Sequence, residues 1–119
     1  MFETDRLIIR KFKEEDVFDL FNYLSKPEVV KYEPYNIYNL EAAKKEAIRR
    51  SNDNAFLGVV LKENDVLIGN LYYQQIDKEF NTWEIGYVFN SDYQNNGYAT
   101  ESVKKLIEFF TLNYQAYLQ

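Results

Sequence analysis

The sequence predicts an α+β fold in which a mixed, mostly antiparallel sheet is flanked by helices. Three observations support this expectation. Residues 56–89 hold three apolar runs separated by short polar turns, the pattern of an antiparallel meander. Apolar residues recur at helical spacing before this region, in 17–24, and after it, in 97–111. No repeat or linker divides the 119 residues, so residues 1–119 are expected to form a single domain.

The elements before the meander follow from local pattern. The apolar residues between Arg6 and Phe12 predict a first strand. The helix expected over 13–24 carries apolar side chains at positions i, i+3, i+4 and i+7: Val17, Leu20, Phe21 and Leu24. Pro27 fits the first position of a short helical turn. Asn39 can cap a further helix that runs to about Arg50 and turns its alanines inward.

From Ala55 onward the apolar period is two, which predicts strands over 56–61, 66–76 and 82–89. Gly69 and Gly86 lie inside two of these strands. Each marks either a bulge or close backbone approach, or simply a glycine tolerated by packing. A final helix is expected from Gly97 to about Thr111, followed by a strand that opens within 114–119.

Composition excludes several kinds of chemistry. The chain has no cysteine and no histidine, which removes disulfides, thiolate nucleophiles, histidine bases and the usual zinc ligands, so no metal site is expected. Acid-base work therefore falls to Asp, Glu, Tyr, Lys or water. A net charge of -5 argues against nucleic acid and weakly favours cationic partners, although solubility alone also explains it. No apolar run is long enough to span a membrane and no signal peptide is seen, so a cytoplasmic protein is expected.

The connection between the last predicted strand and the last helix has the features of a phosphate-binding loop. A strand ending near Phe89 leads through a polar turn to Gly97 and then into a helix. Such an arrangement points unpaired backbone N–H groups at one place, where the helix dipole adds positive potential. Gly97 lets the backbone approach a ligand closely. From shape alone, a strand–loop–helix segment with one glycine is more often an ordinary connection than a phosphate-binding loop.

The residues of this loop resemble a known family. The run Gln94-Asn95-Asn96-Gly97-Tyr98-Ala99 is similar to the Q/R-x-x-G-x-G/A loop of the GCN5-related N-acetyltransferases (GNAT). Thr100-Glu101 matches the common continuation of that loop, and the opening from Thr4 to Arg10 resembles the RimJ/RimL-like branch. The resemblance covers nearly the whole chain. It implies a GNAT-like fold and acetyl-CoA-dependent transfer of an acetyl group to a small amine, such as a polyamine or aminoglycoside, or to a peptide N-terminus.

The resemblance also implies roles for individual residues. The backbone of the strand end would bind the pantetheine arm of acetyl-CoA: Tyr87, Val88 and Phe89. The loop amides would hold its pyrophosphate: Gln94, Asn95, Asn96, Gly97, Tyr98 and Ala99. Thr100 could add a hydroxyl contact. Glu84 is the candidate general base, acting through water, or else a structural partner of a nearby Arg or Tyr. Four side chains are weaker candidates for the acceptor pocket, since a tyrosine is more often a core residue than a ligand: Tyr32, Tyr35, Asn70 and Tyr72.

Members of this family usually continue beyond the point where this sequence stops, and the missing part typically supplies the general acid and more of the cofactor cleft. No residue here is assigned as that acid. The apolar surface and strand edge left uncovered predict a homodimer, with or without exchange of an element between protomers. The chain could also be a piece of a longer enzyme. Two other functions stay open, a non-catalytic acyl-CoA-binding or self-associating module and a ligand-free interaction protein.

Overall fold

Five strands and four helices are built from residues 2–118, the part of the chain that the computed structural model describes, with side chains for residues 2–111. The strands are β1 (Phe2–Glu3), β2 (Leu7–Lys11), β3 (Phe56–Leu61), β4 (Val66–Asp77) and β5 (Thr82–Phe89). The helices are α1 (Val17–Leu24), α2 (Pro27–Val30), α3 (Leu40–Ser51) and α4 (Tyr98–Leu118). Short 3₁₀ turns at Glu14–Asp16 and Ser91–Tyr93 precede α1 and the loop into α4. None of these helices is both long and apolar enough to cross a bilayer.

The strands form one sheet in the order β1-β2-β3-β4-β5, and every pairing in it is antiparallel. The α+β fold with helices beside the sheet is therefore confirmed, although the parallel pairing that a mixed sheet would contain is not found among the described strands. β5 is the last strand in this order, so its outer edge has no strand partner within residues 2–118. That edge lies directly before the loop into α4.

Both faces of the sheet are covered by helices. On one face, Leu20 and Leu24 of α1 and Ala47 of α3 pack with Val60 and Leu67. On the other face, Leu106 of α4 packs in a cluster of strand residues: Leu7, Ile9, Leu57, Val59, Leu61, Ile68, Leu71 and Phe89. Because helices cover both faces, the middle of the sheet is a continuous apolar layer. The uncovered parts of β4 and β5 lie toward Asp77 and Thr82, where side chains are more exposed.

Local signals place several elements where the sequence predicts them. The Asn39 side chain accepts a hydrogen bond from the backbone N–H of Ala42 at 2.8 Å, so it caps α3 as expected. Pro27 begins α2, and Ala43 and Ala47 are both fully buried. The three-stranded meander is present, with β4 one residue longer than predicted.

Two expectations are wrong. β3 does not alternate, because Leu57 to Leu61 are all buried between helices on the two faces of the sheet. The predicted strand over Tyr114–Gln119 is also not formed, since α4 continues to Leu118, and Gln119 lies outside the described residues. No glycine or proline interrupts 98–118, so nothing in the local sequence ends the helix.

The two strand glycines differ in their surroundings. A Cβ atom at Gly69 would lie 2.6 Å from Phe89 Cδ1 and 2.7 Å from the Val88 carbonyl oxygen. A Cβ atom at Gly86 would meet nothing closer than Tyr72 Cδ1, at 3.9 Å. Gly69 therefore marks a close approach of β4 to β5, whereas Gly86 has room for a side chain.

Candidate active site

A cleft of about 430 Å³ opens between the end of β5, α2 and the start of α4; we call it the loop cleft. Nine of the ten residues predicted to bind the cofactor line it: Tyr87, Val88, Phe89, Gln94, Asn95, Gly97, Tyr98, Ala99 and Thr100. The exception is Asn96, whose side-chain amide donates to the carbonyl oxygens of Tyr93 and Gln94. Asn96 thus closes the turn, while its neighbours face the cleft.

Most backbone N–H groups of this loop are unpaired among the described residues, but that of Gln94, predicted to hold the pyrophosphate, is not. Gln94 N–H donates to the Ser91 carbonyl, and Glu101 N–H donates to the Gly97 carbonyl. Among the described residues, the N–H groups of 95–100 have no protein acceptor within hydrogen-bonding distance. Asn95 and Gly97 have φ values of 67° and 81°, and residues of alternating handedness turn successive N–H groups toward one point. The loop is therefore a concave set of donors at the positive end of α4.

The first turn of α4 is tied to the N-terminal strands. Glu101 accepts hydrogen bonds from the Thr4 hydroxyl and, at 2.8 Å, from Arg6 Nε. These donors outweigh the effect of burial and lower the pKa of Glu101. The Arg6 guanidinium stacks 4.4 Å from the centre of the Tyr98 ring and lies beside Gly97. An arginine is thus fixed at the entrance of the loop cleft.

A second set of contacts attaches α2 to the segment that follows β5. Lys26 Nζ lies 2.8 Å from Asn90 Oδ1 and 2.8 Å from Asp92 Oδ2. The Ser91 hydroxyl donates to the Glu28 carboxylate at 2.8 Å, which contributes to the lowered pKa of Glu28. These bonds hold α2 against the connection to the loop.

A second cleft, of about 610 Å³, lies on the α1/α3 side of β4 and β5; we call it the sheet cleft. It shares Glu33, Tyr87 and Val88 with the loop cleft, so the two clefts meet at the end of β5. Glu84 lines the sheet cleft and is exposed, and its carboxylate makes no ion pair or hydrogen bond among the described residues. The alternative in which Glu84 is a structural partner of a nearby Arg or Tyr therefore has no support among the described residues.

Three of the four predicted acceptor-pocket residues line the sheet cleft. Tyr35 packs edge-on against Tyr38, and burial raises its pKa to about 12. The Tyr72 hydroxyl donates to Gln74 while its ring packs on Phe56. The Tyr35 phenol is therefore neutral at physiological pH and able to donate a hydrogen bond.

The third residue, Asn70, is 2% exposed and belongs to a polar network beneath the cleft. Its side-chain oxygen accepts hydrogen bonds from the Tyr23 hydroxyl at 2.7 Å and from Arg50 Nη1 at 3.1 Å. Arg50 Nε also donates to Glu46 at 2.6 Å. Burial opposes ionisation of Glu46, but the hydrogen bonds from Arg49 and Arg50 outweigh it and lower its pKa. This network supports the floor of the cleft.

The fourth residue, Tyr32, is not brought to either cleft. Its side chain is 87% exposed and lies near Lys31, just after the end of α2. The segment turns so that Glu33, and not Tyr32, faces the clefts.

Sequence reasoning missed Glu33, the Glu46–Arg50 pair and the contact between Arg6 and Glu101. Of these, only the contact between Arg6 and Glu101 had a signal in the sequence, since both residues lie in segments that match the family pattern. Within residues 2–118 no group of three or more carboxylate side chains is placed to hold a metal ion.

Curated relatives, solved structures and a family model were each compared with this chain, and all three indicate one family. The uncharacterized N-acetyltransferase YnaD of Bacillus subtilis is 38% identical over 107 residues, which cover 89% of this chain and 62% of that protein. The uncharacterized N-acetyltransferase p20 of Bacillus licheniformis is 34% identical over 112 residues and is covered to 63%. The chain thus spans a little less than two thirds of the length of these curated relatives.

Solved structures agree in fold. A GNAT-family acetyltransferase from Bacillus anthracis superposes with a TM-score of 0.87 at 28% identity, over 95% of this chain and 67% of that one. A ribosomal-protein alanine acetyltransferase from Vibrio fischeri, at 22% identity and a TM-score of 0.73, shares the fold over 95% of this chain and 68% of its own. The model of the acetyltransferase (GNAT) domain matches residues 6–117. Because that match spans almost the entire sequence, the chain belongs to the GNAT acetyltransferase family.

Proposed function

We propose that this chain binds acetyl-CoA in the loop cleft and transfers the acetyl group to a primary amine held in the sheet cleft. The observation that carries the proposal is the set of unpaired N–H groups of 95–100 at the start of α4. A diphosphate matches such a site, because backbone donors and the helix dipole bind negative charge without a lysine. The complex of the acetyltransferase MccE with acetyl-CoA and AMP, a structural neighbour, supports the choice of cofactor.

The residues present fit this cofactor. Tyr87, Val88 and Phe89 lie on β5, whose outer edge offers backbone groups to an extended pantetheine arm. Arg6 lies beside Gly97, and its ion pair with Glu101 holds the first turn of α4 in place beside the loop. When bound, acetyl-CoA supplies an activated acetyl group as a thioester.

The sheet cleft supplies the acceptor side of the reaction. Glu84 would take one proton from the ammonium group through water, and the neutral nitrogen would then bond to the acetyl carbon as the carbon–sulfur bond breaks. Coenzyme A would leave as a thiolate, which takes up the second proton that the nitrogen releases. Tyr35 and Tyr72 orient the acceptor by hydrogen bonding from the wall of the cleft. A spermidine N-acetyltransferase chimera among the structural neighbours supports an amine as the acceptor. The close meeting of the two clefts provides the positioning on which rate enhancement depends.

Self-association is a further part of this proposal. Ile76, Phe80 and Trp83 are exposed at the end of the β4–β5 hairpin, and the outer edge of β5 has no strand partner within residues 2–118. Such surface favours pairing with a second copy. Analytical ultracentrifugation at rising protein concentration should show a homodimer. A monomer at every concentration would contradict the proposed self-association.

Calorimetric titration of the chain with nucleotides tests cofactor binding. We expect 1:1 binding of acetyl-CoA, weaker binding of adenosine diphosphate, and none of adenosine, because the diphosphate is the group that the loop holds. An acetylation assay with primary amines then separates an enzyme from a module that only binds acyl-CoA. If acetyl-CoA does not bind, or if adenosine binds as well as its diphosphate, the assignment of the loop is wrong.

A further inference from the structure

Glu33 occupies a position that the reaction outlined above does not use. It is one of three residues that line both clefts, with Tyr87 and Val88, and it is the only carboxylate among them. A group at this junction faces the place where the acetyl carbon and the acceptor nitrogen have to meet. The position of Glu33 therefore gives its charge direct access to the acceptor.

The carboxylate of Glu33 has no partner of its own. It is partly buried, yet no hydrogen bond or ion pair of its side chain occurs among the described residues. The other charges of the sheet cleft are largely neutralised, because Arg49 pairs with Glu46 and Asp53. Arg50 is likewise held by Glu46. The charges left over in the sheet cleft are the two unpaired carboxylates, Glu33 and Glu84.

The backbone around Glu33 is fixed relative to the loop cleft. Its N–H donates to the Val30 carbonyl at 2.9 Å, which ties it to the end of α2. α2 is in turn bound through Lys26 and Glu28 to the segment after β5. Glu33 is thus held on the same rigid frame as the loop that would carry the cofactor.

We propose that Glu33 binds the ammonium group of the acceptor at the junction of the two clefts and thereby selects cationic acceptors. This inference rests on the proposed function. Primary amines are protonated in water at neutral pH, and a charge-assisted hydrogen bond to a carboxylate is among the stronger contacts available to them. With two unpaired carboxylates and no unpaired arginine, the cleft favours diamines and polyamines and rejects acceptors that carry a carboxylate near the amine.

The test compares two acceptors of equal length, 1,4-diaminobutane and 4-aminobutyrate, by titration and by acetylation at low ionic strength. The wild-type chain should bind the diamine and discriminate against the amino acid. Glu33→Gln should weaken diamine binding by about 10- to 100-fold through loss of one charged contact, and raise KM more than it lowers kcat. Glu33→Asp should recover part of the binding. Glu63→Gln, an equivalent change in the exposed β3–β4 turn, should behave as wild type.

The outcomes separate this inference from the proposed function. Glu33→Gln should still bind acetyl-CoA, since the loop donors of residues 95–100 are retained in this variant. If acetyl-CoA fails to bind the wild type while diamine binding still depends on Glu33, the proposed function fails and the cation site stands. If diamine binding is equal in wild type and Glu33→Gln, or if 4-aminobutyrate binds as well as the diamine, the role of Glu33 is refuted.

Discussion

At Gly97 the backbone has a φ of 81°, a conformation that side chains with a Cβ atom adopt only with strain. A Cβ there would meet only Arg6 Nη2, at 3.5 Å, so the protein itself leaves the space open. The space that a side chain would fill lies at the entrance of the loop cleft. Glycine is thus needed both for the turn and for close approach of a ligand.

Replacing Gly97 by valine should lower acetyl-CoA affinity by about 10- to 100-fold, because the loop donors are displaced and obstructed. The strain should also cost about 1–2 kcal/mol of stability. Asp65→Val is the matched control, since Asp65 has a φ of 59° in the remote β3–β4 turn. Calorimetry and thermal unfolding measure both effects. Equal affinity in Gly97→Val and wild type would contradict a binding role for this loop.

Among the secondary-structure elements, the pairing of β4 with β5 fixes the position at which the loop begins. Gly69 is opposite Phe89 in the register, and the Phe89 ring occupies the space that a Gly69 side chain would need. Phe89 in turn packs in the core with Leu106 of α4. The close approach at Gly69 therefore places the end of β5 and the start of the loop.

Gly69→Ala should destabilise the chain by about 1–3 kcal/mol, because its Cβ overlaps Phe89 and the Val88 carbonyl. Gly86→Ala, the same change one strand away, should be neutral or should stabilise by up to about 1 kcal/mol, since it removes glycine from a strand without a clash. Urea unfolding of both variants provides the comparison. Equal stabilities for Gly69→Ala and Gly86→Ala would contradict the close approach of β4 to β5 at Gly69.

Much of the fold could be predicted because it depends on local signals. The cap at Asn39, the proline at Pro27 and the spacing of apolar residues in α1 are each readable within a few residues. The donor loop is also local, since Gly97 and the start of α4 are adjacent in sequence. Acceptor-side contacts are different, because Tyr23 and Asn70 meet only through the packing of α1 on β4. The position of Glu33 likewise depends on how α2 docks, which no local pattern specifies.

For the whole molecule, the pair formed by the half-buried Glu46 and the buried Arg50 links stability to pH. The pKa of Glu46 in the folded chain lies below its ordinary value of 4.5, although burial opposes this, because two arginines donate to it. A lowered carboxylate pKa stabilises the fold above the unfolded value and loses that contribution as pH falls through the folded one. Unfolding free energy should therefore decrease as the pH falls below about 4.5.

Glu46→Ala should cost about 3 kcal/mol at pH 7, since it leaves Arg50 buried without its carboxylate partner. The loss should shrink as the pH falls below 4.5 and through the lowered pKa of Glu46, because the wild-type carboxylate is then itself protonated. Glu41→Ala, on the exposed side of the same helix, should change stability little at any pH. Chemical denaturation over this pH range measures the difference. A pH-independent gap between Glu46→Ala and wild type would contradict the ionised pair.

The two clefts, the helices that frame them and the ties from Arg6 and Lys26 form one arrangement around the end of β5. In this arrangement we propose that the unpaired backbone amides of residues 95–100 hold the diphosphate of acetyl-CoA. An amide NMR titration of ¹⁵N-labelled protein with acetyl-CoA tests it most directly. We expect the N–H signals of residues 95–100 to shift most, and adenosine diphosphate to shift the same signals. Shifts confined to other residues, with those amides unchanged at saturation, would contradict it.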